Sequence, residues 1–159
     1  MWLLAAPAFA SALAAGLSAQ TKLLPPEEAF RLSARALDAT TIEARFDVAD
    51  GYYLYRDRIH FSLGPAVTLS TDLPAGTRKH DEFFGDVETY RGPVTIRVRL
   101  PGATPAGRPL VLHADSQGCA DAGVCYPPNP QTLEVPVPAA GQKPGAFVEA
   151  AAPKKSWFK

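Results

Sequence analysis

Every second residue of Thr41-Ile42-Glu43-Ala44-Arg45-Phe46-Asp47-Val48 is apolar, so Ile42, Ala44, Phe46 and Val48 share one face while Glu43, Arg45 and Asp47 share the other. A period of two belongs to an extended strand with one side in a core and one in water. Val94-Thr95-Ile96-Arg97-Val98-Arg99-Leu100 repeats the pattern, with Val94, Ile96, Val98 and Leu100 inward. Sixteen prolines and 12 glycines punctuate the chain between such runs. That punctuation favours turns and short strands over long helices.

Taken in order, Pro26 to Arg31 suits a helix of one or two turns, because proline followed by Glu27 and Glu28 favours a helix start. Strand character begins at Phe30 and returns at Thr41. Ala49-Asp50-Gly51 is a hairpin signal, and Tyr52 to Leu63 resumes an extended pattern. Ala66 to Thr71 reads as a short strand. Thr77 to Gly92 is charged and aromatic without a clear period, which predicts a long loop of the kind that carries function. Leu110 to Ala114 is a strand leading towards Cys119, and Thr132 to Val137 closes the sheet with Pro136 at an edge. About seven or eight short strands at this spacing predict an all-β protein, an immunoglobulin-like antiparallel β-sandwich with extra short strands and a cap loop. A parallel α/β fold is excluded, and the thioredoxin fold with it.

At 159 residues the chain suffices for one domain with its own core. Lysine plus arginine equal aspartate plus glutamate at 16 each, so no overall field points to nucleic acid or an anionic membrane. Residues 1–19 contain no charged side chain and are rich in alanine and leucine. They read as a signal peptide or apolar leader, which implies export. The first positive residue is Lys22, a departure from the usual charged start of a signal peptide, so an uncleaved anchor is the alternative. Residues 20–138 are assigned to the β-sandwich. Residues 139–159 shift to Ala, Pro, Gly and Lys and read as a flexible tail or linker.

The only two cysteines fall in Gln117-Gly118-Cys119-Ala120-Asp121-Ala122-Gly123-Val124-Cys125-Tyr126-Pro127-Pro128. A disulfide across so short a loop removes only about 2 kcal/mol of chain entropy from the unfolded state, less than a bridge between distant strands. The spacing favours a bond meant to open and close, in an oxidising compartment where disulfides are sensible. A small structural disulfide remains the alternative at this point. His60, His80 and His113 show no metal-ligand spacing to the cysteines.

That cysteine segment resembles the active-site segment of the amino-terminal periplasmic domain of DsbD, the bacterial thiol:disulfide interchange protein. Gly51-Tyr52-Tyr53-Leu54-Tyr55-Arg56 resembles the same family's tyrosine-rich strand, and Asp81-Glu82-Phe83-Phe84-Gly85 resembles its cap loop. The resemblance implies that Cys119 and Cys125 form a redox-active disulfide needing no organic cofactor or metal, with Cys125 attacking the partner and Cys119 resolving the mixed disulfide. It also implies that Phe83 caps the pair and that Tyr53 and Tyr55 lie beside it. Asp81 and Glu82 would raise a thiol pKa or relay a proton, the alternative being solvated loop charges; Gly85 would turn the loop, and Tyr126-Pro127-Pro128 would form a rigid exit holding Cys125 at the surface. Phe84 stands where the family is expected to have tyrosine. The activity implied is that of a periplasmic protein-disulfide reductase, either free-standing or tethered to the inner membrane within a longer chain. Its donor would be a membrane-embedded DsbD-type domain or a thioredoxin-like protein. Its acceptors would be DsbC- and DsbG-like isomerases and the thiol protein serving cytochrome c maturation. The rival reading is a non-catalytic immunoglobulin-like binding module whose disulfide only shapes a loop.

Overall fold

The computed structural model describes residues 22–151. The apolar leader of residues 1–19 and the last part of the tail lie outside the described residues. A single helical turn, α1 (Pro26–Ala29), has proline in its first turn and hands the chain to β1 (Phe30–Ala36) and β2 (Thr41–Val48). Next come β3 (Tyr52–Tyr55), a 3-10 turn at Arg56–Arg58, β4 (His60–Ser62), β5 (Ser70–Asp72) and β6 (Thr77–Asp81). Then follow β7 (Gly85–Tyr90), β8 (Gly92–Arg99), β9 (Pro109–Ser116), β10 (Gly118–Ala120), β11 (Val124–Cys125), β12 (Asn129–Pro136) and β13 (Val148–Glu149).

The strands form three antiparallel sheets, ordered β13-β1-β2-β8-β5, β11-β10-β3-β7-β6 and β12-β9-β4. The alternation read from sequence is realised in register, with Ile42 opposite Val98, Ala44 opposite Ile96 and Phe46 opposite Val94. Their inward faces meet Phe61, Leu112, Ala114, Leu133 and Val135 of the three-stranded sheet in one apolar core. The fold is the immunoglobulin-like sandwich that the short alternating strands imply. Pro136 lies in β12, an outer strand of its sheet, where a missing N–H costs no ladder bond.

Two expectations are corrected. Thr77 to Gly92 is not a loop: β6 and β7 pair from Thr77 opposite Thr89 to Asp81 opposite Gly85, and only the tip between them is a turn. Most side chains of this hairpin are exposed or half-buried, so the alternation that marks a core strand is missing. The tail assigned from residue 139 is not free as far as Ala151. Gly145 donates its N–H to the Ala36 carbonyl (3.0 Å), Ala150 to that of Leu32 (2.9 Å), and β13 adds to β1 between them. Together with the short strands of the cysteine hairpin, these additions bring the total among the described residues to 13.

The middle sheet is two-faced, and this places the site. Residues Tyr52, Leu54 and Ala120 belong to the main core, while Tyr53, Tyr55 and Cys119 form a separate buried cluster on the opposite face. Strand period two therefore sorts adjacent tyrosines to opposite sides. All four residues of β3 are buried, one side by the sandwich and the other by the site.

Candidate active site

Gly118 begins the site because it has no side chain. A Cβ there would overlap the Tyr53 carbonyl and come within 2.6 Å of the Phe30 ring, so only glycine lets β10 lie this close against β3. In that register Cys119 faces Tyr53 across one ladder and Cys125 across the other. Between β10 and β11 the Gly123 N–H donates to the Ala120 carbonyl (3.0 Å), and Gly123 takes φ +85°, the left-handed conformation that closes a three-residue hairpin loop. The two cysteines are thus directly opposed, their Cα atoms 4.0 Å apart, and their sulfurs are bonded. The close spacing fits a non-hydrogen-bonded antiparallel pair, since the flanking bond runs from the Tyr126 N–H to the Gly118 carbonyl (3.0 Å).

The two sulfurs differ in access. Cys119 is fully buried, whereas Cys125 lies on the outermost strand of its sheet and is half-buried. Tyr55 reaches both: its hydroxyl is 3.1 Å from Cys119 Sγ and 3.9 Å from Cys125 Sγ, and because a disulfide carries no proton the hydroxyl is the donor. Burial, reinforced by Tyr53 and Asp81, pushes the Tyr55 phenol far above its ordinary pKa, so it keeps its proton across the physiological range.

Behind Tyr55 lies a polar cluster. Tyr53 packs edge-on to Tyr55 with centroids 5.5 Å apart and donates its hydroxyl to Asp81 Oδ2 at 2.9 Å. Asp81 Oδ1 accepts the Phe83 N–H at 2.9 Å, and Lys79 Nζ stands 3.5 Å from Oδ2. Burial alone would raise the Asp81 pKa, but hydrogen bonding from the Phe83 amide, Tyr53 and Lys79 outweighs it and pushes it down to about 2. Asp81 is therefore an anion locked into the neck of the β6–β7 hairpin. Lys79 also sits 3.6 Å from the centre of the Tyr53 ring, with the Arg91 guanidinium 5.2 Å from it.

At the hairpin tip the two phenylalanines have different surroundings. The ring against Tyr55 is that of Phe84, edge-on at 4.9 Å and covered in turn by the Arg58 guanidinium at 4.5 Å. Phe83 leaves 61% of its surface in solvent, more than any other large apolar side chain among the described residues. Glu82 is exposed, and Gly85 turns the chain with φ +71°. Tyr126, next to Cys125, turns its side chain to the other face of the sheet. Its ring packs edge-on to Phe30 at 5.7 Å, and its hydroxyl donates to the Leu24 carbonyl at 2.6 Å, on the main-core side of the sheet. It anchors the base of the cysteine hairpin from behind. Sequence reasoning passed over Lys79, Arg58 and Arg91, which the fold brings to the site from other elements, and gave no role to Asp121, although it lies inside the cysteine segment.

Among the described residues no group of three or more His, Cys, Asp or Glu is arranged to hold a metal ion. Nor is any helix there long and apolar enough to cross a membrane. A groove of about 810 Å³ lies elsewhere, between β1 and β12, and includes neither cysteine. Of the two cysteines only the half-buried Cys125 is open to another molecule.

An immunoglobulin-like sandwich carrying a disulfide across one edge hairpin, half-open and beneath a second, aromatic-tipped hairpin, defines the class: a redox-pair β-domain. The family model described as "Thiol:disulfide interchange protein DsbD, N-terminal" matches residues 20–137. The chain belongs to the family of DsbD amino-terminal domains. It is 46% identical over 143 residues to the thiol:disulfide interchange protein DsbD of Ralstonia nicotianae, covering 87% of this chain and 23% of that protein. It is 43% identical over 114 residues to DsbD 1 of Pseudomonas aeruginosa, covering 70% of this chain and 19% of that one. The chain thus spans about a fifth of the length of these relatives. The crystal structure of the Neisseria meningitidis DsbD amino-terminal domain in the reduced form superposes with a TM-score of 0.68 at 32% identity, over 81% of this chain and 96% of that one. A second solved structure, the complex between the DsbD and PilB amino-terminal domains of the same organism, matches with a TM-score of 0.54 at 39% identity, over 70% and 86% of the two chains.

Proposed function

We propose that this chain is a thiol-disulfide exchange domain that accepts two electrons from a donor dithiol and passes them to a disulfide protein, acting as a protein-disulfide reductase. The observation that carries this reading is the unequal pair: one half-open sulfur on an edge strand, one buried sulfur behind it, and a neutral phenol touching both. A purely structural bridge has no use for that inequality.

In the loading direction a donor thiolate attacks Cys125 Sγ, the bond to Cys119 breaks, and Cys119 leaves as a thiolate. The Tyr55 hydroxyl, 3.1 Å away, donates a hydrogen bond to that buried charge. A second donor thiol then attacks its own sulfur in the mixed disulfide, frees Cys125, and leaves the domain with two thiols. In the unloading direction the Cys125 thiolate attacks the acceptor's disulfide. The Cys119 thiolate then attacks Cys125 Sγ, re-forming the bond and releasing the acceptor as a dithiol. Two electrons and two protons pass in each direction, with the two sulfurs as the redox group and no further cofactor.

The partners we assign are a membrane-embedded DsbD-type domain or a thioredoxin-like protein as donor, and DsbC- and DsbG-like isomerases and the cytochrome c maturation thiol protein as acceptors. A docked complex of a similar DsbD domain with a PilB domain supports a protein partner. The compartment that suits this chemistry is the periplasm. The test is a Cys119→Ala variant incubated with periplasmic extract: the relay reading expects a mixed disulfide through Cys125 that reductant releases. A reduction potential below about −300 mV together with no trapped partner would instead mark an inert structural bond.

A further inference from the structure

The cysteine hairpin has a second fastening. Arg91, at the junction of β7 and β8, sends Nη2 to Asp121 Oδ1 at 2.6 Å and Nη1 to Asp121 Oδ2 at 2.9 Å. Nη1 also donates to the Tyr52 carbonyl at 3.3 Å, and the guanidinium lies 5.2 Å from the centre of the Tyr53 ring. Asp121 occupies the loop between the two cysteines, and its own N–H donates to the Gly51 carbonyl at 2.8 Å. Arg91 is therefore a planar bracket between the tip of the redox hairpin and the strand that carries the site tyrosines. A bidentate guanidinium–carboxylate pair fixes orientation as well as distance. The hydrogen bonds between the two side chains lower the Asp121 pKa and raise that of Arg91, so both stay charged.

The bracket matters most when the sulfur bond is open. β11 has β10 as its one neighbour in the sheet, so reduction removes the covalent link that holds it. Its base stays fixed through Tyr126 and through the Gln117 Nε2 bond to the Tyr126 carbonyl at 3.1 Å. Its tip depends on the loop around Asp121. Keeping both thiols in bonding position raises their effective concentration towards each other, which favours reclosure.

Given that the pair opens and closes as proposed above, we infer that Arg91 and Asp121 form a positioning pair that holds the reduced hairpin in register and so sets the disulfide–dithiol equilibrium. Neither side chain touches a reacting sulfur. Removing the bracket lowers the effective concentration of the thiols, so the equilibrium moves towards the dithiol and the domain becomes more oxidising.

The experiment equilibrates the full chain with mixtures of reduced and oxidised dithiothreitol and quenches by alkylation. In this reaction the protein S–S bond breaks, the reagent's S–S bond forms, and two electrons and two protons pass to the cysteines. Arg91→Gln and Asp121→Asn should each shift the equilibrium constant towards the dithiol by about threefold, the scale of one exposed ion pair. The double variant should shift it no further than the larger single, because both substitutions remove the same ion pair and only Arg91→Gln also removes the bond to the Tyr52 carbonyl. High salt should narrow the gap between parent and variants, since the pair is partly exposed. Variants with the parent's equilibrium constant, or single shifts that add in the double variant, overturn the bracket. A parent whose bond never opens across the range overturns the relay reading itself, a result distinct from variants that merely match a parent that titrates.

Discussion

Asp81 is the only buried charged side chain among the described residues, 3% exposed, and its carboxylate ties the β6–β7 neck to Tyr53 and to the Phe83 amide. Its pKa falls from 3.8 to about 2 in the folded chain, so the folded state binds its proton less readily than the unfolded one. The contribution is about 2 kcal/mol. It is fully present above the unfolded value of 3.8 and is lost as pH falls through about 2. Urea unfolding of the parent and Asp81→Asn should show that difference near neutral pH and its disappearance in strong acid; a gap that stays constant with pH would assign the loss to packing. Tyr55→Phe keeps the ring and removes the hydroxyl beside both sulfurs. With a hydrogen bond to a departing thiolate contributing about 1.5 kcal/mol, reduction of the disulfide by a small thiol should slow about tenfold while the fold is retained. An unchanged rate in stopped flow would remove Tyr55 from the exchange step.

At the scale of elements the site is two hairpins facing one another across β3, and they were unequally legible. The cysteine hairpin was marked by Gly118, Gly123 and the paired thiols, and β3 by tyrosines that a period of two sends to opposite faces. The β6–β7 hairpin has the side-chain pattern of a loop because Thr77-Arg78-Lys79-His80-Asp81 has little core to face; backbone pairing, invisible in side-chain pattern, makes it a strand. The same pairing brings Lys79 over the Tyr53 ring, which no local spacing could announce. The tip then sets a graded expectation. Phe84 is wedged between Tyr55 and Arg58, whereas Phe83 is largely solvated. Phe84→Ala should therefore loosen the hairpin over the cysteines and speed oxidation of the reduced pair by a small-molecule oxidant several-fold. Phe83→Ala should do so less. The opposite order in a direct rate comparison would return the shielding to Phe83, and equal rates in all three proteins would deny it to both.

For the whole molecule, the separation of the two buried clusters makes a prediction about independence. The sandwich core and the site share β3 and β10 but lie on opposite faces of them, and the β13 flank lies at the far edge of another sheet. Composition could not show this flank returning, because its hold rests on backbone bonds to Ala36 and Leu32 and on Phe147 beneath the Arg35 guanidinium at 4.6 Å. Ending the chain after Pro138 removes these contacts and uncovers the outer edge of β1. Val148 and Ala150 are only partly buried against the core, so the loss in unfolding free energy should be about 1–2 kcal/mol. The bared edge offers unpaired N–H and C=O groups for strand addition, so self-association should rise with concentration. The dithiothreitol equilibrium of the cysteine pair should remain that of the full chain, because neither its ladder partners nor Arg91 has moved. A shift in that equilibrium comparable to the loss in stability would mean that the two faces of the middle sheet respond as one body, and that the site's redox balance is set by the sandwich as a whole.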